Sequence, residues 1–252
     1  MSDLSRRKLI TTGIAAAAGA SGLAAASGLA KHYGLIPPDH GGLYGAGETL
    51  TYAAQRILTS HSMAREFPAS EISNPPFAND VAPLGAAFKR LQDGGFADWR
   101  LQVDGMVARP ASFSIAELKR HPSRSQVTHL ACEEGWSYIA QWTGVPLSHV
   151  LNLVGILPQA KFVVYFSIQD DWWDSVDMAD AMHPQTLVAY EMNASDLPVA
   201  HGGPLRLRVP RQLGYKNVKY ITRLTVTDDL KQFGAGLGSA SPEGGYSWYA
   251  GI

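Results

Sequence analysis

The chain has 252 residues, 46% of them hydrophobic and 17% charged, which suits one well-packed globular domain or at most two small ones. A formal net charge of −1 supplies no basic field for nucleic acid and no strong field for a polyionic partner. Cys132 is the only cysteine, so an internal disulfide and a zinc site built from several cysteines are excluded. It remains a buried filler, a reactive nucleophile or a lone metal ligand.

Residues 1–30 stand apart. Ser5-Arg6-Arg7-Lys8-Leu9-Ile10 is a paired-arginine segment, and Gly13 to Ala30 carries no charged residue. The run is only weakly apolar, which fits a twin-arginine export signal with small residues near Ala26 and Ala30 for cleavage. An uncleaved membrane-anchor helix is the alternative. The twin-arginine route carries folded proteins, so it suits a chain that takes up a cofactor before export to the periplasm.

Residues 31–70 read as a Gly-, Pro- and His-rich linker followed by a short helix over Glu48 to Leu58. Asn74-Pro75-Pro76 and Asn79-Asp80 predict an ordered loop between Glu71 and Pro83. Trp99 to Val103 alternates as a strand and ends at Asp104-Gly105. Ser114-Ile115-Ala116-Glu117 has capping-box spacing and opens a short helix through Leu118. Gln126 to Leu130 is a strand that delivers Cys132 at its end. Pro146 starts a helix whose apolar face is Leu147, Val150, Leu151 and Val154, and Gly155 stops it. Lys161 to Ile168 predicts a buried strand, and Thr186 to Met192, Leu205 to Val209 and Tyr220 to Thr227 predict three more. Residues 231–252 form a Gly-rich tail. Short strands and helices without a βαβ rhythm favour an α+β domain, spanning 71–230, over a doubly wound sheet.

Three stretches carry chemistry: Thr128 to Trp136 with Trp142 to Leu147, His201 to Pro210, and Gly214 to Tyr220. The last two place Arg206, Arg208, Arg211, Lys216 and Lys219 among Gly- and Pro-rich turns, where cations beside free backbone N–H groups form an anion cradle. A solvated basic face explains the same charges. His129 reads as packed on its strand and His183 as setting a turn before Pro184. Trp136, Trp142, Trp172 and Trp173 read as core or pocket wall. Asp170, Asp171 and Asp174 flank the last two and read as a solvated loop, with lining of a pocket entrance as the alternative.

In this order and spacing, from about Trp99 to Thr227, the stretches resemble the sulfite oxidase superfamily of molybdopterin enzymes, nearest to bacterial exported members. The resemblance implies a mixed-sheet molybdopterin-binding fold. It implies molybdenum bound through Cys132 and one molybdopterin. It carries cofactor contacts onto Asn79, Ser167, His201, Arg206, Asn217, Val218 and Lys219, and places Phe77 with Asn79 on the pterin loop. A soft thiolate suits an oxo-molybdenum centre, and metal charge keeps sulfur deprotonated.

Two departures bear on function. Sulfite-oxidising relatives carry Arg shortly after the cysteine, whereas Glu133 and Glu134 follow Cys132 here. Their dimerisation domain has no counterpart either, so a monomer is expected. The expected activity is oxygen-atom transfer with two electrons, in the direction of reducing a sulfoxide or similar small oxo substrate, with a haem protein as electron partner. Sulfite dehydrogenation is the enzymatic alternative. A catalytically inert pterin-binding module and an exported binding protein with a buried cysteine are the non-enzymatic ones.

Overall fold

The structure, a computed structural model, describes residues 28, 30–41, 45–79 and 85–252. Arg6, Arg7 and nearly all of the run behind the export reading lie outside the described residues, as do Asp80 and residues 81–84 of the predicted loop. No helix among the described residues is long and apolar enough to cross a membrane.

In chain order the elements are α1 (Gly45–Leu58), α2 (Gly85–Asp93), β1 (Arg100–Gly105), β2 (Ala111–Ser114), α3 (Ile115–Leu118), β3 (Arg124–Ala131), β4 (Ser137–Pro146) and α4 (Leu147–Val154). They continue as β5 (Phe162–Ser167), β6 (Trp173–Asp177), α5 (Met178–Ala181), β7 (Leu187–Met192), β8 (Ser195–Asp196), β9 (Arg206–Arg208), β10 (Ile221–Thr227) and α6 (Ala240–Glu243). One sheet has the order β2-β1-β10-β5-β6, with β1 and β10 parallel and the other pairs antiparallel. The second runs β3-β4-β7-β8, and β9 also pairs with β7. The architecture is the mixed-sheet α+β type expected.

Local sequence explains several boundaries. Ser114 caps α3 reciprocally with Glu117, the capping box read from the spacing. Gly155 ends α4 at φ +70°, a backbone region that glycine enters without strain. The apolar run of β5 is covered on both faces. Val163 and Tyr165 join the main core with Leu101, Leu151 and Leu224, while Val164 packs on the other side with Tyr52, Trp248 and Tyr249.

Three segments depart from the expectation. β4 was not predicted, although Tyr138, Ala140 and Trp142 alternate inward along it. β6 holds the supposedly solvated Asp174, which is 1% exposed because Lys216 and Ser241 bind its carboxylate. The Gly-rich tail also packs into the fold: the Trp248 N–H donates to Asp39 and the Tyr249 N–H to Glu48, at 2.8 and 3.1 Å.

Candidate active site

Cys132 opens the turn between β3 and β4. Its N–H donates to the Trp136 carbonyl at 2.9 Å, and its carbonyl accepts from the Gly135 N–H at 3.1 Å. Gly135 sits at φ +94°, which the tight turn requires. The Gly214–Lys216 turn crosses behind the cysteine so closely that a Cβ on Gly214 would stand 3.3 Å from the Cys132 Cα. The Cys132 side chain therefore faces a cavity of about 550 Å³, and Sγ donates to Glu133 Oε2 at 3.2 Å. Burial pushes the thiol up to about 12, helped by the Glu133 hydrogen bond and by the charges of Glu133 and Glu134. A metal cation would reverse that direction, because it favours the thiolate.

The opposite wall is cationic. Arg206 is 3% exposed, and its guanidinium donates to the His201 and Asn217 carbonyls at 2.7 and 2.6 Å. Its Nε is buried with no hydrogen-bond partner in the protein. Arg208 lies deeper, donating to the Asn217 side-chain oxygen at 2.7 Å and the His129 carbonyl at 2.6 Å. Both guanidiniums stand over the Trp142 ring, with centroid distances of 5.0 and 5.6 Å. Lys219 donates to the Ala200 carbonyl at 2.9 Å. Burial, and then Arg206, lower Lys219 to about 8, and burial followed by Arg206 lowers Arg208 to about 9. His201 falls to about 4 through burial, then Arg206 and Lys219, so its ring is neutral at neutral pH. None of the ion pairs among the described residues involves Arg206, Arg208 or Lys219. Buried cations of this kind call for an anion.

Aromatic residues from distant parts of the chain complete the wall. Phe77 packs on Trp136 with centroids 4.9 Å apart, and Trp172, Tyr138 and Tyr246 also line the cavity. Glu134 is held by the Trp136 indole N–H at 2.7 Å, and Arg124, a cation able to draw it away, pairs with Glu66 at 2.6 Å. Both carboxylates after Cys132 thus stay at the cavity.

Of the residues singled out from sequence, Asn79, Cys132, His201, Arg206, Asn217 and Lys219 meet at this cavity. Ser167 and Val218 do not line it. The Ser167 hydroxyl accepts from the Gln169 N–H at 3.1 Å, and the Val218 side chain belongs to the main core. The five-cation cradle needs correction as well. Arg208 backs the wall from behind, Arg211 binds the Ser60 and Thr59 carbonyls and Asp180, and Lys216 is ion-paired with Asp174. The solvated-face alternative fails too, since Arg206, Arg208, Arg211 and Lys216 are all buried. Tyr138, Gln169 and Tyr246 lie outside the stretches singled out from sequence, while Tyr215 falls within the third without being assigned to the site. The inward alternation of β4 is the one signal that pointed to Tyr138.

Residues 89–233 match the oxidoreductase molybdopterin binding domain family. A protein of Azospira oryzae, provisionally named protein-methionine-sulfoxide reductase subunit YedZ1, is 37% identical over 197 residues, which are 77% of this chain and 70% of that protein. The protein-methionine-sulfoxide reductase catalytic subunit MsrP of Xanthomonas axonopodis is 32% identical over 62% of this chain, and the chain spans 52% of that relative's length. The crystal structure of the sulfane dehydrogenase SoxCD from Paracoccus pantotrophus superposes with a TM-score of 0.51 at 24% identity, covering 60% of this chain and 40% of that one, which is a likeness of fold.

The residues present fit the cofactor of that family. A lone soft sulfur ligand suits molybdenum, and the orphaned Arg206 Nε, with Lys219 and the Arg208 charge behind, suits the anionic end of a pterin phosphate. The chain belongs to the molybdopterin-binding oxidoreductases of the sulfite oxidase superfamily and is an enzyme that works with molybdenum and molybdopterin.

Proposed function

We propose that this enzyme reduces sulfoxides, methionine sulfoxide among them, after twin-arginine export to the periplasm, as a monomer that receives electrons from a haem protein. The observation that carries the reading is the composition of the cavity mouth. Glu133 and Glu134 both stand beside Cys132 Sγ, at 3.2 and 3.9 Å, where sulfite-binding sites need a cation. Each would oppose a sulfite dianion by about 1 kcal/mol at contact in water and by more in a dry pocket. That amounts to roughly tenfold or more in affinity. A neutral sulfoxide meets no such penalty, and its apolar arms fit against Phe77, Trp136 and Trp172.

Bound molybdenum supplies the two-electron couple and the oxygen-atom transfer. The protein does the rest. Cys132 would hold the metal. Arg206, Asn217 and Lys219 would hold the cofactor's anionic and polar groups. His201, neutral and beside the Tyr138 hydroxyl at 3.4 Å, would offer a hydrogen bond without adding charge. The aromatic wall would offer apolar faces to the substrate's arms.

Sulfite dehydrogenation is the second reading, favoured by the cations Arg206 and Lys219 on the facing wall. Steady-state kinetics on molybdenum-loaded protein, with a dye donor for methionine sulfoxide and a dye acceptor for sulfite, decide between them. Sulfoxide turnover should exceed sulfite turnover by at least about tenfold; the reverse ratio would promote the second reading. Cys132→Ser should leave a folded protein without turnover or an Mo(V) signal, and undiminished turnover would remove Cys132 from the metal. Arg6→Lys with Arg7→Lys should hold loaded enzyme in the cytoplasm, and normal export of that variant would end the twin-arginine reading.

A further inference from the structure

The charged residues that line the cavity are sorted by exposure. The cations lie inside: Arg206 is buried, and Lys219 is half-buried with its ammonium on the Ala200 carbonyl. The carboxylates lie at the rim: Glu134 and Asp171 are exposed, and Glu133 is half-buried. Asp171 therefore takes the entrance position that the sequence offered as the alternative. None of the ion pairs among the described residues involves Glu133, Glu134 or Asp171. Glu134 is held in place by the Trp136 indole N–H at 2.7 Å and the Asn79 amide at 3.4 Å. The same rim shows aromatic faces. Phe77, Trp172 and Tyr246 are 49%, 45% and 43% exposed, and Trp172 directly follows Asp171. Large apolar side chains grouped in the open at one cavity mouth mark a binding surface. Their ring faces attract cations through the quadrupole, and carboxylates beside them add charge attraction.

We propose that this rim selects sulfoxides that carry a positively charged arm, as a lysine or arginine beside a methionine sulfoxide residue supplies. Asp171 and Glu134 meet the charge, and Trp172 offers its ring to the stem and head of the arm. The inference rests on the sulfoxide reading above and names the chemistry of the substrate's other end. The sulfoxide group is neutral and goes inward toward Cys132, while the cation stays at the mouth. Arg206 and Lys219 do not repel it once the cofactor's anionic end lies on them, because their charge is then offset. The rim carboxylates keep theirs, and they set the field that an entering molecule meets. Lysine and arginine arms are long and flexible enough to lie across such a rim. The contacts are partly in solvent, so each is worth a factor of about five in affinity, and salt screens it.

The test measures binding apart from turnover. Acetylated and amidated peptides carry methionine sulfone, which resists reduction, at the centre, with lysine, glutamine or glutamate on both sides. Calorimetry on the full, molybdenum-loaded chain should give a Kd about tenfold lower for the lysine peptide than for the glutamine peptide, and a Kd about tenfold higher for the glutamate peptide. Molar salt should bring the three together. Asp171→Asn should remove about fivefold of the lysine preference, Asp171→Glu should keep it, and Asp171→Lys should reverse the order. A small sulfone bearing a quaternary ammonium, set beside its neutral tert-butyl counterpart, tells whether charge suffices without a peptide. Equal affinities across the three peptides would overturn the inference, as would a lysine preference that Asp171→Asn leaves intact. The corresponding sulfoxide peptides, followed by kcat/KM, should repeat the ranking. Equal sulfone affinities with brisk sulfoxide turnover would sink the rim alone, whereas affinities that follow charge without sulfoxide turnover would sink the sulfoxide reading.

Discussion

Two pairs of buried arginines behave in opposite ways. Arg56 and Arg211 surround Asp177 and Asp180, with all four side chains at most 10% exposed, and their charges cancel inside the protein. Arg206 and Arg208 are buried as deeply, yet their partners are carbonyls, an amide, a hydroxyl and the Trp142 ring. The first cluster is complete and ties α1 to β6 and α5. The second is short of negative charge, and it sits at the cavity. A buried charge costs several kcal/mol unless it is paired, so the deficit at Arg206 and Lys219 is what a bound anionic group would offset. The same residue type is therefore scaffold in one place and binding site in the other, and the count of nearby carboxylates separates them.

The sharpest break of this contrast is Asp180→Asn. It strands Arg56 and Arg211 beside one carboxylate fewer, so stability should fall by about 3–5 kcal/mol, or about 10 °C in Tm. Thermal melts should show the same loss with and without cofactor. A loss confined to the loaded form would place Asp180 in the cofactor site instead.

Lys219→Gln should act on the other cluster alone. Removing one charge-assisted contact costs about 1.5–3 kcal/mol, which is tenfold or more in cofactor retention. Molybdenum per chain after prolonged dialysis measures it. The cofactor-free variant should melt no lower than the cofactor-free parent, because it has lost an uncompensated charge. A lower melt would show that Lys219 serves the fold.

The smallest effect is one of pH. His201 falls to about 4 and Lys219 to about 8 in the folded protein, below their ordinary values of 6.5 and 10.5. In each window the unfolded chain binds more protons than the folded one, so folding stability rises with pH there. The cofactor-free protein should gain a few degrees in Tm from pH 4 to 6.5 and again from 8 to 10.5, at about 2–4 °C per kcal/mol. His201→Gln should flatten the acid rise. Bound anion beside Lys219 restores its charged form, so the loaded enzyme should lack the alkaline rise. Identical alkaline slopes in both forms would show that no anion sits there.

Much of the fold was legible because its signals are local. The capping box at Ser114, the α4 face between Pro146 and Gly155, and the apolar run of β5 each declare themselves within a few residues. β6 did not, since the partner that buries Asp174 is Lys216, 42 positions away. The site divides in the same manner. Cys132, His201, Asn217 and Lys219 lie in short motif turns, and Arg206 opens the short strand β9 right after one, so spacing fixes the side chains. Ser167 and Val218 stand where strand and core geometry turn their side chains off the cavity. The aromatic wall draws on Phe77, Trp136, Trp172 and Tyr246, whose meeting depends on the tertiary fold and leaves no sequence pattern.

The pairing of Asp39 with the Trp248 N–H joins positions 209 apart, and Tyr246, close by, is part of the cavity wall more than a hundred positions after Cys132. Contacts so distant along the chain form late, because a long loop must close before they bring any gain. A polypeptide still emerging from the ribosome would thus present Cys132 in a half-built, open trough. The cofactor can be enclosed only after synthesis has run far beyond its ligand. The part of the wall that Tyr246 supplies is thus among the last pieces of the cavity to be put in place.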